Sequence, residues 1–160
     1  MATWQFDAIL VPREQLSAPS GAEPRVPVEA VEGTEWWAKR SLPVGYESRL
    51  DAALPRLPIA TKGIMSWGTD DGDRVDVCLE DARVVEVRAR FDAREAHPAF
   101  AELVATFAEW ANAMFVTEEG EIVEADAAAL LRELRNSSAH RFAVDPETYL
   151  DELGNSGTTF

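Results

Sequence analysis

Cysteine, histidine and long apolar runs are all scarce in this chain of 160 residues. Cys78 is the only cysteine, so no disulfide can form within the chain and no multi-cysteine zinc cluster can be built. No window reaches the roughly 18 consecutive apolar residues of a membrane span. The first residues lack the basic and apolar segments of a secretory signal. We therefore expect a cytoplasmic protein with no metal site, no cofactor and no membrane partner.

Positive charge is also scarce, above all towards the C-terminus. Lys and Arg total 15 against 29 Asp and Glu, which gives a net charge of −14. Residues 101–160 carry 12 of the acidic side chains but only 3 of the basic ones. Phosphate backbones attract basic surfaces, so this composition argues against nucleic-acid binding. If charge selects a partner, that partner is a basic protein; the alternative is that the charge serves solubility alone.

The remaining composition is that of an ordinary globular protein, with 46% hydrophobic and 28% charged residues. A chain of this length usually forms one domain. We expect that domain over residues 1–154, with a proline-rich surface loop at 17–33 and a flexible tail at 155–160. No repeat and no glycine-rich phosphate-binding turn is present.

Apolar periodicity predicts strands in the centre of the chain and helices towards either end. Strands are predicted at 3–11, 64–67, 74–79, 83–91, 114–117, 121–124 and 141–144. Helices are predicted from Thr34 to before Pro43, over 46–54 and 98–113, after Asp126, and from Asp145 to Gly154. This order predicts an α+β domain: a mainly antiparallel sheet of about 4–6 strands with helices packed on one face.

One face of the central strands is predicted to be polar. In the strand at 83–91, Glu86, Arg88 and Arg90 alternate with inward-facing apolar residues, and Cys78 faces outward on the preceding strand. Such alternation is typical of an antiparallel sheet with one solvated face.

No catalytic pattern stands out in the sequence. The turn Asp70-Asp71-Gly72-Asp73 lacks the ligand spacing of a calcium loop and suits a tight hairpin instead. Neither His97 nor His140 belongs to a metal-binding or Ser–His motif. Cys78 has no close basic neighbour that would activate its thiol. We therefore assign no catalytic residue, and the sequence favours a protein that is not an enzyme without deciding the question.

Tryptophan, by contrast, is abundant, with five residues in the chain. Trp36 and Trp37 are adjacent, and successive helical side chains point about 100° apart, so a narrow buried stripe accommodates only one of them. Trp110 lies off the apolar stripe of its helix, and Trp67 precedes the Asp/Gly turn. Either the loop at 17–33 covers the surplus indoles, or they stay accessible as anchors for a partner.

The strongest local acidic cluster is formed by Glu118, Glu119, Glu121, Glu124 and Asp126. It is either a solvated hairpin rim or a patch that attracts a basic protein. Together with the indoles it supplies the candidate binding residues, which are Trp36, Trp37, Trp67, Trp110, Glu118, Glu119, Glu121 and Glu124.

Several short motifs occur in a characteristic order along the chain. They are Trp4-x-Phe6, Trp36-Trp37, Ser66-Trp67 before the Asp/Gly turn, and Phe142-Ala-Val-Asp-Pro followed by Tyr149-Leu150. This arrangement resembles small acidic bacterial proteins of uncharacterised or toxin-immunity type. The resemblance implies a non-enzymatic binder whose target is a toxin domain, and it assigns no role to any residue.

The sequence therefore predicts a protein-binding module of immunity or antitoxin type that inhibits a basic partner. The alternative is a small-molecule sensor or enzyme with a cleft lined by tryptophan and carboxylates. A third alternative is a homo-oligomer in which the indoles form the contact between copies.

Overall fold

The computed structural model of the chain describes residues 4–16, 25–95 and 97–156. Its strands are β1 (Gln5–Pro12), β2 (Ile64–Gly68), β3 (Arg74–Glu80), β4 (Arg83–Asp92), β5 (Ala113–Thr117) and β6 (Ile122–Val123). They form one antiparallel sheet in the order β2-β3-β4-β1-β5-β6. Because β1 lies between β4 and β5, the first strand of the chain is central in the sheet.

Helices lie between these strands and after the last of them. They are α1 (Val28–Gly33), α2 (Tyr46–Ala53), α3 (Pro98–Trp110), α4 (Ala127–Asn136), α5 (Ser138–Val144) and α6 (Pro146–Ser156). A short 3-10 helix follows β1 at Arg13–Gln15. The predicted α+β class with an antiparallel sheet is confirmed.

The core lies between one face of the sheet and helix α3. Strand pairing places Phe6 opposite Phe91, and the ring of Phe100 on α3 packs edge-on against Phe91 with centroids 5.0 Å apart. All three rings are buried. Each such side chain contributes about 1.5–3 kcal/mol through removal of apolar surface from water. Helix α3 begins at Pro98. A backbone N–H at this first position would have no acceptor within the helix, so proline loses no hydrogen bond there.

The second face of the sheet is apolar near β1 and β5. Ile9, Val11 and Val116 point away from α3, yet each is at most 3% exposed. Glu32 of α1 comes within 3.6 Å of Arg88, which also lies on the second face. The segment that includes α1 therefore runs over this face, and β1 is buried on both sides.

The predicted helix after Thr34 does not form, because residues 34–43 adopt turns and bends. The helical restriction on neighbouring tryptophans therefore does not apply. Trp36 Nε1 donates to the Val31 carbonyl at 3.3 Å, and Trp37 Nε1 donates to the Leu10 carbonyl at 2.9 Å. Both indoles are buried. The predicted loop at 17–33 is also partly helical, since it contains α1; its residues 17–24 lie outside the described ranges.

The C-terminal part differs from expectation in two ways. Residues 141–144, predicted as a strand, belong to α5, whose start is capped by the Ser137 hydroxyl accepting from His140 N–H. Helix α6 continues past Gly154, where we expected it to end, and so enters the predicted tail at 155–160. Leu150 and Leu153, expected to pack inward, are 56% and 51% exposed. Among the described elements, α6 packs mainly against α5.

Both edges of the sheet are covered by the chain itself. Beyond β6, Val26 N–H donates to the Gly120 carbonyl at 2.9 Å, and Arg25 pairs with Glu121. Beyond β2, Leu57 N–H donates to the Ser66 carbonyl, and Gly68 N–H donates to the Pro55 carbonyl, each at 2.8 Å. Covered edges offer no open row of backbone groups for aggregation. The two hydrogen bonds at the β2 edge also hold residues 57–61 beside the sheet.

Gly120 provides a test of the β6 edge. Its φ of +86° is unfavourable for other residues, and an added Cβ would collide with the Val26 carbonyl. We expect Gly120→Ala to lower the free energy of unfolding by about 2–4 kcal/mol, because it adds both backbone strain and overlap. Urea denaturation followed by tryptophan fluorescence measures this change. Gly154→Ala, in open space on α6, is the control and should be neutral or slightly stabilising; equal effects of the two substitutions would contradict the prediction.

Candidate functional site

The second face of the sheet becomes strongly charged towards β3 and β4. Strand register places Arg74 opposite Arg90, Asp76 opposite Arg88, and Cys78 opposite Glu86. We name the resulting surface the charged face, and its residues are Asp7, Ser66, Arg74, Asp76, Cys78, Glu86, Arg88 and Arg90. The predicted outward alternation of β3 and β4 is therefore confirmed, but these side chains are not fully solvated.

Asp7 is the most deeply buried carboxylate of the charged face, with only 2% of its side chain exposed. Arg88 Nη1 donates to one carboxylate oxygen at 3.1 Å, and Arg90 Nε donates to the other at 3.2 Å. A buried carboxylate is tolerated when charged donors occupy its oxygens. Asp7 thereby fixes Arg88 and Arg90 of β4.

Glu86 links Arg88 to Cys78. Arg88 Nη2 donates to Glu86 Oε1 at 3.2 Å, and the Cys78 thiol donates to Glu86 Oε2 at 3.8 Å. Burial, followed by the charges of Glu86 and Asp76, raises the pKa of the Cys78 thiol to about 11. Burial by itself lowers the pKa of Arg88, but Glu86 and Asp7 outweigh it and raise the pKa above its usual value. At neutral pH the thiol is therefore protonated, and the guanidinium is charged.

Asp76 and Arg74 form the other end of the charged face. The Ser66 hydroxyl donates to Asp76 Oδ1 at 2.6 Å, and the same oxygen lies 3.0 Å from Arg74 Nε. The Arg74 contact is close but poorly aligned, so this buried Nε has no properly directed acceptor. Arg74 Nη1 donates to the Asp70 carbonyl at 2.9 Å. The guanidinium is thus held at the start of β3 without its donors being fully used.

A cavity of about 260 Å³ lies over the charged face. Its floor includes Arg74 of β3 and Arg88 and Arg90 of β4, and its side wall is largely apolar. The wall residues are Leu57, Pro58, Ala60 and Thr61, and Ile64 of β2 adjoins them on the sheet. This wall exists because residues 55–57 bond to the edge of β2, which keeps the following residues beside the sheet. The charged face is therefore a recess rather than a flat solvated surface.

Glu118 follows β5 and continues the row of side chains that contains Asp7, since Thr117 is paired with Ala8. The residue is exposed as a whole. Partial burial of its carboxyl group, followed by the negative charge of Asp7, raises its pKa to about 7, while Arg88 lowers it. Glu119 and Glu32 act in the same direction as Asp7. The charge of this corner therefore changes near neutral pH.

The tryptophans proposed as binding residues are mostly inside the protein. Trp36, Trp37 and Trp67 are at most 8% exposed, and the Trp67 indole donates to Asp51 Oδ1 at 2.8 Å. They cannot contact a partner directly in this structure, so the alternative in which they are accessible anchors is wrong. Trp110 is half-buried and lies under the Arg49 guanidinium at 4.3 Å from its ring centroid. None of the four lines the cavity over the charged face.

The acidic candidates divide into paired and unpaired carboxylates. Glu121 lies 3.3 Å from Arg25, and Glu124 lies 3.1 Å from Arg13. Glu118 faces the charged face, whereas Glu119 is exposed and accepts at its backbone carbonyl from Arg25. The structure thus disperses these four candidate residues along the β5–β6 side of the sheet, and arginines offset the charges of two of them. Its role in binding stays a prediction.

His97 and the acidic turn have a structural explanation. The Asp73 carboxylate accepts from Asp92 N–H at 2.9 Å and contacts the His97 ring, joining the β2–β3 turn to the start of α3. Burial lowers the pKa of His97, but Asp73 and Glu95 outweigh it and raise the pKa above its usual value. Among the described residues, no group of three or more His, Cys, Asp or Glu is arranged to hold a metal ion.

Comparisons of the chain with protein-family models, with curated proteins and with solved structures found no match. The resemblance to toxin-immunity proteins accordingly stays a prediction. None of the helices that the structure describes has the length and apolar character needed to cross a lipid bilayer.

One sequence pattern indicates the charged face: charged residues of both signs alternate along several strands. Asp7, Asp76, Glu86, Arg88 and Arg90 all occupy outward positions of alternating strands, with both signs of charge. Cross-strand charge pairing of this kind stabilises neighbouring strands. Only the order of strands in the sheet brings Asp7 from the start of the chain beside the two arginines.

Glu118 yields a prediction about pH dependence. Its pKa is about 7 in the folded protein, against about 4.3 in an unfolded chain. Folding therefore takes up a proton between these values, so this group makes stability fall as pH rises from about 4.5 to 7. We expect Glu118→Gln to raise the unfolding midpoint at pH 8 but not at pH 4.5. Because the residue is exposed, the rise should be small.

Urea unfolding at these two pH values measures the effect of Glu118→Gln. The control, Glu102→Gln, alters an exposed carboxylate on α3, against the opposite face of the sheet. A similar change in both variants would show that the effect reflects net charge rather than the corner beside Asp7.

Proposed function

We propose that the protein binds a small molecule in the recess over the charged face. The observation that carries this proposal is a cavity floored by half-buried charged side chains instead of apolar ones. Desolvating so many charges is costly, and replacing them by packed apolar residues is often neutral or stabilising. Their presence in a concave site is typical of ligand recognition, where a few fixed polar groups orient the bound molecule.

The proposed activity is binding rather than a covalent reaction. The thiol of Cys78 has a pKa of about 11, so it is a poor nucleophile at neutral pH. Neither His97 nor His140 lines the cavity. The Ser66 hydroxyl donates a hydrogen bond to Asp76 and has no histidine beside it to act as a base. The recess is small, at about 260 Å³. This size suits a compact metabolite more than a drug-sized ligand.

Binding can be tested by titrating ¹⁵N-labelled protein with a library of small polar and charged fragments. We expect saturable shifts of the β3 and β4 amide signals, with dissociation constants of about 1 mM or tighter for the best fragments. Ala60→Trp, at the wall of the recess, should abolish these shifts by filling it. Ala52→Trp adds the same side chain at an exposed position on α2 outside the wall and should change nothing.

Two results would contradict the small-molecule proposal. One is a complete absence of saturable shifts on β3 and β4. The other is fragment binding that Ala60→Trp leaves unchanged, since the fragments would then lie elsewhere on the protein.

A second candidate function is the capture of a basic protein, as expected for a cytoplasmic immunity or antitoxin protein that occludes its target. The observation that favours it is an exposed apolar set on the last two helices, formed by Val144, Leu150 and Leu153 at 51–69% exposure. Exposed acidic residues such as Glu147 and Asp151 surround it. Apolar side chains within an acidic field suit a basic partner that has an apolar contact region.

The partner-binding candidate can be tested by affinity capture from the native host. We expect the parent protein to retain a basic protein that a Leu150→Ser/Leu153→Ser variant loses, because the variant removes the apolar contact. Val44→Ser, at a fully exposed apolar residue outside α5 and α6, is the control. Capture should also weaken as salt concentration rises. A protein retained equally by all three forms would not be bound through α6, and the candidate would fail.

A further inference from the structure

We infer that the ligand of this recess carries an oxyanion, a carboxylate or a phosphate, which Arg74 and Arg90 receive together. The inference rests on the proposed small-molecule function and adds the chemical class of the ligand. Its basis is the geometry of one like-charge pair on adjacent strands and the donors that this pair leaves available.

Arg74 and Arg90 are directly opposite each other on β3 and β4. Both side chains belong to the second face, and both line the recess. Like charges in directly opposed cross-strand positions destabilise a sheet. Their side chains are only 18% and 19% exposed, so water screens this repulsion incompletely. An anion located between them would replace the repulsion with two attractive contacts.

The protein uses only part of the hydrogen-bonding capacity of this pair. In the described part of the chain, Arg90 donates from Nε alone, to Asp7, and Arg74 donates from Nη1 alone, to Asp70. Each guanidinium has five N–H donors in a planar fork. Arg88 differs, because its two terminal nitrogens already donate to Asp7 and Glu86. The unused donors of the recess are therefore concentrated at the Arg74–Arg90 end.

The charges of the recess are divided in the same way. Arg88 is surrounded by the carboxylates of Asp7, Glu86 and Glu32. Arg74 lies near two carboxylates, those of Asp70 and Asp76, and Arg90, among the described residues, lies near the Asp7 carboxylate alone. Positive charge is thus most fully compensated at Arg88 and least at Arg90. The guanidinium groups of Arg74 and Arg90 both line the other end of the recess, and paired donors of this kind match the two oxygens of a carboxylate or phosphate.

The wall of the recess indicates the rest of the ligand. Leu57, Pro58 and Ile64 form an apolar surface above the arginine floor. A compact anion with an apolar body would place its charged group on the arginines and its body against this wall. Benzoate has this form and serves as a probe, while benzamide has nearly the same shape without the charge.

The experiment titrates the parent protein with benzoate, benzamide, acetate and inorganic phosphate, following backbone amide and arginine Nε–Hε signals. We expect benzoate to shift the Arg74 and Arg90 signals saturably and benzamide to leave them unchanged. Acetate and phosphate separate the two sources of an oxyanion: the one that binds more tightly identifies the preferred group. A response to benzoate much stronger than to acetate supports the apolar wall as part of the site.

Variants test the two arginines separately. Arg74→Gln and Arg90→Lys should each weaken benzoate binding about tenfold. The first removes a positive charge, and the second keeps the charge but removes the paired N–H donors of the guanidinium group. Arg83→Gln, at the exposed start of β4, is the matched control and should bind like the parent. Amide spectra of each variant establish that the sheet is intact.

The inference is overturned if benzoate, acetate and phosphate all leave both arginine signals unmoved, or if benzamide binds as tightly as benzoate. It is also overturned if folded Arg74→Gln and Arg90→Lys proteins bind benzoate like the parent. A neutral fragment that occupies the recess while every anion fails would remove this inference and leave the proposed small-molecule function standing. Absence of any fragment binding would remove both. Should the variants unfold, the titrations of the parent decide the question.

Discussion

The carboxylate of Asp7, held between Arg88 and Arg90, is the interaction on which the charged face depends. Asp7 lies on a strand that is buried on both faces, where an unpaired carboxylate would carry a large desolvation cost. Its two arginine partners are separated by two residues along β4 and therefore project from the same face. A register shift of one residue would turn these charges into the core, so the pair also opposes slippage between β1 and β4.

The same face of the sheet has two different environments because different parts of the chain cover it. Near β1 and β5, the segment of α1 with Trp36 and Trp37 covers Ile9, Val11 and Val116. Trp37 bonds to the Leu10 carbonyl just beyond the last residue of β1 that pairs with β4. Near β2 and β3, residues 57–61 stand beside the face without filling it. A recess therefore remains where the strands carry charges, and none remains where they carry apolar side chains.

Burial of three indoles removes them from the surface that a partner could contact. An interface needs surface that a partner can reach, and three of the tryptophans are bonded and packed inside the domain. The protein nevertheless remains strongly acidic, with a net charge of −14, and its exposed apolar residues on α5 and α6 lie in the most acidic part of the chain. The two proposed functions, small-molecule binding and partner binding, are thus assigned to separate regions of the protein and are compatible with each other.

The sequence by itself determined the α+β class, the alternating faces of β3 and β4, the starts of α2 and α3, and the capping of α4 by Asp126, because these depend on residues close together in the chain. It failed at residues 34–43, where the Trp37 indole bonds to β1 instead of lying on a helix. It also failed at 141–144, where packing of α5 overrode a short apolar run. Only the tertiary structure decided that Asp7 meets Arg88 and Arg90, more than 80 residues away. Periodicity tells which way a side chain points from its own strand, whereas strand order and register, set by burial of the whole core, decide which side chains meet.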